Sequence, residues 1–306
     1  MIFVIDKPSG MTSHDVVWRM KRALGRKVKI GHTGTLDPMC TGVLPVLTGN
    51  DTKLSDLLGG DKEYVATMRL GLVTDTQDIT GEVLETHGTD GIGEDDVRRV
   101  LASFVGETEQ LPPMYSSVKV GGKKLYELAR EGKTVERKAR KITVYEIEYL
   151  GTVAENEYKF RIACSKGTYI RTIIDDAGRA LGCGACMESL LRTRVGEFAL
   201  ADAVKLSEVE AYVNAHRADA AETEELQLPF LQAVDSVFVK YESATVEGQF
   251  RKYLYNGNRL RPEMFLEEHE SMRTAPVRVY DDEGVFFGIY EYQAEKEDYK
   301  PLKVFK

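Results

Sequence analysis

Apolar positions near the start of the chain follow first a strand pattern and then a helix pattern. Residues 2–5 form a short continuous apolar run, which is typical of a buried strand. Thr12 and Asp15 then have the spacing of a capping box, and apolar residues recur on one face up to Gly25. The sequence therefore predicts a helix over residues 12–25, directly after the first strand.

The middle of the chain alternates between the same two patterns. Apolar and polar residues alternate over residues 64–70, 142–149 and 158–163, which predicts three half-buried strands. Residues 94–105 and 168–181 have helical periodicity instead. On the second of these helices Arg171 lies on the flank of the apolar face, where its guanidinium can point into a cleft.

The pattern changes towards the end of the chain. Residues 202–235 are acidic, and residues 219–225 within them predict an exposed connection. After Pro229 the sequence has short strand-like pieces separated by turn-forming residues at 256–258, at 281–284 and at Pro301. We interpret this part as a small β domain.

Composition bounds the class of protein. The 306 residues suffice for one large domain and a small one, and a hydrophobic content of 42% is ordinary for a globular protein. No apolar run approaches the roughly 18 residues of a membrane span, and no secretory signal is visible. Four cysteines are too few for a disulfide scaffold. We therefore expect a cytoplasmic protein with no membrane partner.

Net charge and charge distribution give different indications about the partner. The formal net charge of −8 argues against nucleic acid. Residues 111–141, here called the basic segment, nevertheless carry nine Lys/Arg against three Glu, a net of +6. Such a local surface can bind phosphates on an acidic protein, although a solvated surface is an equally good interpretation of the charges alone.

The segment from Gly31 to Leu44 is the strongest candidate for chemistry. It contains three glycines, three threonines and a proline, so it predicts a tightly turned loop. His32 and Asp37 lie five residues apart in it, and Pro38 fixes the backbone after the carboxylate. The segment alone fits a catalytic loop and a plain glycine-rich turn equally well.

Five motifs in order resemble those of the TruB family of bacterial tRNA pseudouridine synthases. Residues 31–44 resemble the GHTGxLDPxAxG-type loop of that family. The other four are Asp6-Lys7-Pro8-Ser9-Gly10-Met11-Thr12-Ser13, Asp61-Lys62-Glu63-Tyr64, Ser165-Lys166-Gly167-Thr168-Tyr169-Ile170-Arg171 and Leu190-Leu191-Arg192. The resemblance runs from about residue 2 to residue 200.

The resemblance implies an α+β architecture with the pseudouridine synthase fold. A mixed central β-sheet flanked by helices and loops would form a catalytic domain over residues 1–234. Residues 235–306 would form a small β-barrel of the PUA type that binds RNA. The basic segment would be an RNA-gripping insertion. Its glycine pair Gly121-Gly122 and its surplus of six positive charges predict that residues 115–141 form a mobile flap that grips the T arm, with Lys119, Lys123 and Lys124 as phosphate contacts.

The resemblance also assigns roles to individual residues. Asp37 would be the catalytic carboxylate, and Arg171 would keep it ionised by holding it through a planar guanidinium fork. Tyr64 would stack on the target base. The other predicted residues are Tyr169 and Leu190 lining the pocket, His32 filling the space that the flipped base leaves, and Lys7 and Pro8 supporting the loop.

The implied reaction is isomerisation of a uridine in the T loop of tRNA, at position 55, to pseudouridine. The glycosidic bond is broken, the base turns, and C5 joins C1′. Nothing is oxidised and no group is lost, so we expect no cofactor and no metal. Asp37 could attack C1′ or C6, or take the C2′ proton, and the sequence leaves these routes open.

Other functional classes remain as alternatives or are disfavoured. A non-catalytic tRNA-binding or tRNA-folding protein on the same scaffold is the main alternative, while a guide-RNA-dependent synthase of the dyskerin type is disfavoured by the basic insertion. Cys183 and Cys186 form a CxxC without a second ligand pair, so we interpret them as adventitious thiols. No nucleotide-binding glycine motif occurs in the chain. We expect a monomer that needs no protein partner.

Overall fold

The computed structural model describes residues 1–25, 27–55, 58–216 and 228–305. The connection predicted over residues 219–225 lies outside these ranges. In the described part no helix has both the length and the apolar character that crossing a membrane requires.

Nineteen strands and six α-helices make up the described chain. The strands are β1 Ile2–Lys7, β2 Ile30–His32, β3 Thr41–Thr48, β4 Lys62–Leu70, β5 Leu72–Thr74, β6 Val83–Thr86, β7 Gly106–Gln110, β8 Lys119–Val120, β9 Lys123–Lys124, β10 Arg140–Ala154, β11 Glu157–Cys164, β12 Ala185–Val195, β13 Phe198–Ala199, β14 Val204–Lys205, β15 Leu231–Gln232, β16 Ser243–Thr245, β17 Val277–Tyr280, β18 Phe286–Gln293 and β19 Asp298–Val304. The helices are α1 Ser13–Leu24, α2 Glu94–Ala102, α3 Leu125–Arg130, α4 Ile170–Leu181, α5 Leu206–His216 and α6 Arg251–Tyr255.

A mixed sheet of eleven strands forms the centre of the protein. Its main path runs β14-β1-β3-β12-β4-β11-β10-β7. Most neighbours are antiparallel, whereas β3 pairs with β12 and β1 with β14 in parallel. The predicted α+β class with a mixed central sheet is confirmed.

Helices α1, α5, α4 and α2 all pack on one face of this sheet. Arg192 pairs with both Gly42 and Tyr64, so these three residues lie on the same face of the sheet. Leu44 lies on that face as well, because it is two residues after Gly42 in β3. At the β1 end this face packs against α1 and α5, and at the β4 and β11 end it packs against α4 and α2. The loop between β2 and β3 lies between α1 and α4, because Leu36 is hydrogen-bonded to Ser13 of α1 and Asp37 lies 2.9 Å from Arg171 of α4. The surface around this loop is called the cleft below.

Residues after 240 form a small four-stranded sheet in the order β16-β17-β18-β19. The segment between Leu260 and Phe265 bridges Tyr299 in β19 at one end and Val246, just after β16, at the other. It therefore brings the two edges of the sheet together, as expected for a small barrel. Side chains of this unit, including Ile289, pack on the face of the central sheet opposite the cleft.

Two predicted boundaries in the chain were wrong for identifiable reasons. Pro301 was expected to separate strands, but it lies inside β19. β19 is an edge strand with a register shift at this position, so the missing proline N–H removes no hydrogen bond that the sheet needs. The strand predicted over 142–149 continues to Ala154. The prediction stopped short because the last residues of the strand are mostly exposed and show no alternation of apolar and polar residues.

The four cysteines are all buried and free. Cys183 and Cys186 form no disulfide. Within the described residues no cluster of three or more His, Cys, Asp or Glu side chains could hold a metal ion.

Candidate active site

The loop between β2 and β3 is tightly turned, as its composition predicts. Gly34 and Gly42 have φ values of +80° and +98°, in the left-handed region that favours glycine. The N–H of Cys40 donates to the carbonyl of Asp37 at 3.0 Å, which closes the turn around Pro38. The Asp37 side chain lies in a recess of the cleft and is 37% exposed, so a ligand can reach its carboxylate.

Lys7 and Ser13 hold this loop in place through hydrogen bonds to its backbone and to the neighbouring chain. The Lys7 side chain is fully buried, and its ammonium donates to the carbonyls of Pro8 at 2.9 Å and Pro38 at 3.2 Å. Burial lowers the pKa of Lys7. The Ser13 hydroxyl accepts a hydrogen bond from the N–H of Leu36 at 2.9 Å. These contacts fix the backbone on both sides of the carboxylate.

Arg171 approaches Asp37 from α4, as expected, but it does not form the predicted two-bond fork. Its Nε lies 2.9 Å from Asp37 Oδ2, while Nη1 donates to the carbonyl of Thr76 at 2.6 Å and Nη2 to that of Tyr115 at 2.8 Å. The guanidinium is thus oriented by two backbone carbonyls and offers one edge to the carboxylate. Its side chain is 5% exposed.

Asp78 is a second carboxylate at the site, which the sequence reasoning missed. It is buried, and its Oδ2 lies 3.6 Å from Nη1 of Arg171. Its other oxygen accepts from the Thr76 hydroxyl at 2.9 Å and from the Thr80 N–H at 3.0 Å. The available signal was the run of eight Asp/Glu without Lys or Arg over residues 70–96.

Burial raises the pKa of Asp37 above its ordinary value, and the nearby Asp78 charge acts in the same direction. The Arg171 guanidinium opposes both effects. The carboxylate is therefore poised between a protonated form that the recess favours and an ionised form that the arginine favours.

Arg192 is a further buried cation that the motif comparison did not single out by role. It is 0% exposed, and its Nε donates to the carbonyl of Val43 at 2.8 Å while Nη2 donates to that of Gly34 at 3.1 Å. No described carboxylate forms an ion pair with it. Arg192 is also the partner of Tyr64 in the ladder between β12 and β4. Through Gly34 and Val43, Arg192 therefore joins both ends of the Asp37 loop to strand β12.

The other residues predicted for the pocket lie on β4, β12, β2 and at the start of α4. Tyr64 in β4 and Leu190 in β12 are buried in one apolar cluster, and burial raises the pKa of Tyr64 to about 12. Burial, followed by the charge of Arg192, lowers the pKa of His32. Tyr169 caps α4, and its backbone exchanges two hydrogen bonds with the side-chain amide of Gln110.

The predicted phosphate contacts lie on a hairpin of the basic segment formed by β8 and β9. Lys119 and Lys124 are directly opposite each other in the β8–β9 ladder, and Gly121 and Gly122 supply the positive φ values of its turn. Like charges in opposed positions are unfavourable without a counter-charge. Lys123 is exposed and lies 3.2 Å from Glu131.

Comparison with known proteins agrees with the motifs. The model of the N-terminal domain of TruB family pseudouridylate synthases matches residues 21–170, and that of the C-terminal domain of tRNA pseudouridylate synthase B matches residues 171–239. The tRNA pseudouridine synthase B of Lachnoclostridium phytofermentans is 45% identical over 99% of this chain and 99% of its own length. That of Geobacillus thermodenitrificans is 41% identical over 100% and 99%.

Solved structures with the same fold include a chain in a Cbf5–Nop10–Gar1 complex. It is 28% identical, with a TM-score of 0.72 over 100% of this chain and 84% of the other. A chain of an H/ACA RNP bound to a substrate RNA containing 2′-deoxyuridine is 25% identical, with a TM-score of 0.71 over 100% and 84%. From the family models, the full-length relatives and the shared fold, we conclude that the chain belongs to the TruB family of pseudouridylate synthases.

Proposed function

We propose that this protein isomerises a uridine in the T loop of tRNA, at position 55, to pseudouridine. The observation that carries the proposal is the reachable Asp37 carboxylate, held on a braced loop and paired with the buried Arg171. A protein that only binds RNA does not need a buried cation fixed beside an accessible carboxylate. The full-length relatives named tRNA pseudouridine synthase B support the choice of tRNA.

The target base must first leave its stack, which costs a few kcal/mol. Stacking on an aromatic side chain returns about 1–3 kcal/mol per base. We assign this contact to Tyr64, with Tyr169 and Leu190 completing the pocket. His32 takes the place of the flipped base, and its lowered pKa keeps the imidazole neutral near pH 7.

Asp37 then acts as the catalytic carboxylate. It attacks the base or sugar, or removes the C2′ proton, and each of these routes requires the ionised form. Arg171 supplies the positive charge that favours this form in the recess. The N1–C1′ bond breaks, the released uracil rotates within the pocket, and C5 bonds to C1′. C5 then loses its proton, N1 gains one, and Asp37 is released as the free carboxylate. All atoms of the substrate stay in the product, so the reaction needs no cofactor or metal.

We assign catalysis to residues 1–234 and additional RNA binding to residues 235–306. The basic segment, with Lys119, Lys123 and Lys124, contacts phosphates of the T arm as a mobile flap. The opposed lysines of its hairpin support this assignment, because an anion between them relieves their repulsion. The protein acts in the cytoplasm as a monomer, without a protein partner or a guide RNA.

One assay tests the proposal directly. The purified protein is incubated with an unmodified tRNA transcript, and pseudouridine is located by carbodiimide-dependent primer extension. We expect a stop at position 55 with the wild type and none with Asp37→Asn. A wild-type protein that binds the transcript without modifying it would instead support the alternative, a non-catalytic tRNA-binding or tRNA-folding protein.

A further inference from the structure

A second cationic surface lies on the chain just before the Asp37 loop. Residues 19–29 contain six Lys/Arg and no Asp or Glu, in a chain whose net charge is −8. This density exceeds that of the basic segment, where three glutamates accompany nine cations. None of the residues assigned above to catalysis or to tRNA contact belongs to this stretch.

The exposed side of α1 combines these cations with an aromatic side chain. Trp18 is 57% exposed, and the Arg22 guanidinium lies over its ring at 5.9 Å from the centroid. Lys21 and Arg22 are exposed beside it. Among the described residues no carboxylate pairs with either cation, whereas Arg19 on the adjacent side of the helix pairs with Glu210. An exposed indole among uncompensated cations fits an anionic ligand with flat rings.

The position of α1 connects this surface to the active site. The helix starts at Ser13, whose hydroxyl is hydrogen-bonded to Leu36 in the Asp37 loop. Trp18 follows five residues later, about 7.5 Å along the helix axis. α1 lies on the cleft face of the sheet at the β1 end, while the basic segment connects β7 and β10 at the opposite end. The two cationic surfaces therefore flank the cleft from opposite sides.

We propose that the exposed face of α1, formed by Trp18, Lys21 and Arg22, is a second tRNA-binding surface on the side of the cleft opposite the basic segment. Lys21 and Arg22 bind backbone phosphates, and the Trp18 indole stacks on a nucleotide next to them. The inference rests on the proposed function, because it takes tRNA as the ligand. It adds a contact surface that catalysis at Asp37 does not require.

The composition of the chain offers a direct probe, because Trp18 is its only tryptophan. Fluorescence of the full-length protein, excited at a wavelength at which its tyrosines absorb little, therefore reports on this face alone. Acrylamide quenching is measured with and without saturating unmodified tRNA transcript. We expect tRNA to reduce the quenching constant at least twofold, with half-saturation at the Kd found by filter binding. An unchanged quenching constant at saturation would overturn the proposal.

Charge variants test the phosphate contacts separately. The double variant Lys21→Ala, Arg22→Ala should weaken tRNA binding about tenfold and reduce the slope of log K against log salt by up to about 1.8, since each lost phosphate contact removes about 0.9. Arg98→Ala, Arg99→Ala is the matched control on α2, where each arginine already pairs with an acidic residue of its own helix. Equal slopes for the two double variants would overturn the proposal.

The indole is tested by Trp18→Ala, which should weaken binding about fivefold, with partial recovery in Trp18→Phe. Pseudouridine formation by the wild type is measured on the same transcript. If the wild type modifies the tRNA while the α1 variants bind it normally, only the second surface is wrong. If the wild type neither binds nor modifies tRNA, the proposed function fails as well.

Discussion

Arg171 touches Asp37 through one nitrogen only: its Nε lies 2.9 Å from Asp37 Oδ2. The other two guanidinium nitrogens donate to the backbone carbonyls of Thr76 and Tyr115. Two backbone carbonyls and the Asp78 carboxylate, 3.6 Å from Nη1, therefore orient the cation together with Asp37. Asp37 can gain or lose a proton, or bond to substrate, while the positive charge stays in place.

Asp37→Asn should abolish pseudouridine formation and leave the Kd for tRNA within severalfold of wild type. The amide keeps the size and hydrogen bonding of the side chain but is neither a nucleophile nor a base. Single-turnover assays and filter binding on one transcript give the two quantities. Turnover within tenfold of wild type would remove Asp37 from its assigned role.

Arg171→Lys should lower the single-turnover rate about 100-fold or more, although it retains the charge. An ammonium on a flexible stem cannot reproduce the three fixed contacts of the guanidinium. Arg179→Lys is a matched control on the same helix, because Arg179 is 69% exposed and pairs with Asp175 away from Asp37. Similar rates for both variants would show that guanidinium geometry is unimportant.

The single-turnover rate should have an acidic limb above the ordinary titration range of aspartate, near pH 4. Burial raises the pKa of Asp37, and the ionised form is the active one, so activity rises as pH increases through this raised pKa. Arg171→Met removes the group that lowers the pKa, and its residual activity should show the limb at higher pH. A limb that stays in place or moves to lower pH would contradict the assignment.

Gly42→Ala should destabilise the protein by about 3 kcal/mol or more, since it adds a clash to the cost of a left-handed residue. A Cβ atom at this position would lie 2.2 Å from the Arg192 carbonyl oxygen. Gly182→Ala provides the comparison, because Gly182 also has positive φ but has open space around it, and should cost about 1 kcal/mol. Denaturant unfolding measures both. Equal losses would mean that β3 and β12 can separate easily.

Replacing Lys119, Lys123 and Lys124 by Ala should weaken tRNA binding and flatten its salt dependence. Each phosphate contact contributes about 0.9 to the slope of log K against log salt. Single-turnover chemistry at saturating tRNA should fall much less, because none of the three lysines forms an ion pair with Asp37 among the described residues. Parallel salt plots with equal intercepts would show that these lysines form only a solvated surface.

Local sequence signals predicted individual elements well. The capping box of Thr12 and Asp15 and the glycine at residue 25 bound α1 in the structure as they do in the sequence. Such signals act within a few residues and need no tertiary context. The order of the strands and the parallel pairing of β3 with β12 depend on contacts between distant parts of the chain, so periodicity could not supply them.

The candidate site was only partly predictable. Asp37 and Arg171 were brought together by resemblance to a family, since residues so far apart in sequence have no common local pattern. Arg192 and Asp78 received no role because their partners are mainly backbone carbonyls, N–H groups and hydroxyls. In the sequence, a charged residue that is buried with such partners cannot be distinguished from any other charged residue in a strand or turn.

The carbonyl of Tyr115 that holds Arg171 belongs to the same basic segment that we expect to grip the tRNA. The Tyr115 peptide group is thus part of the proposed RNA-binding segment and also one of the groups that orient Arg171 beside Asp37. If the segment shifts when it closes on RNA, Arg171 exchanges or loses one of its two backbone partners, and its hold on Asp37 changes with it. Binding of tRNA would then affect Asp37 through a single main-chain oxygen, and the reactivity of the enzyme would depend on whether tRNA is bound.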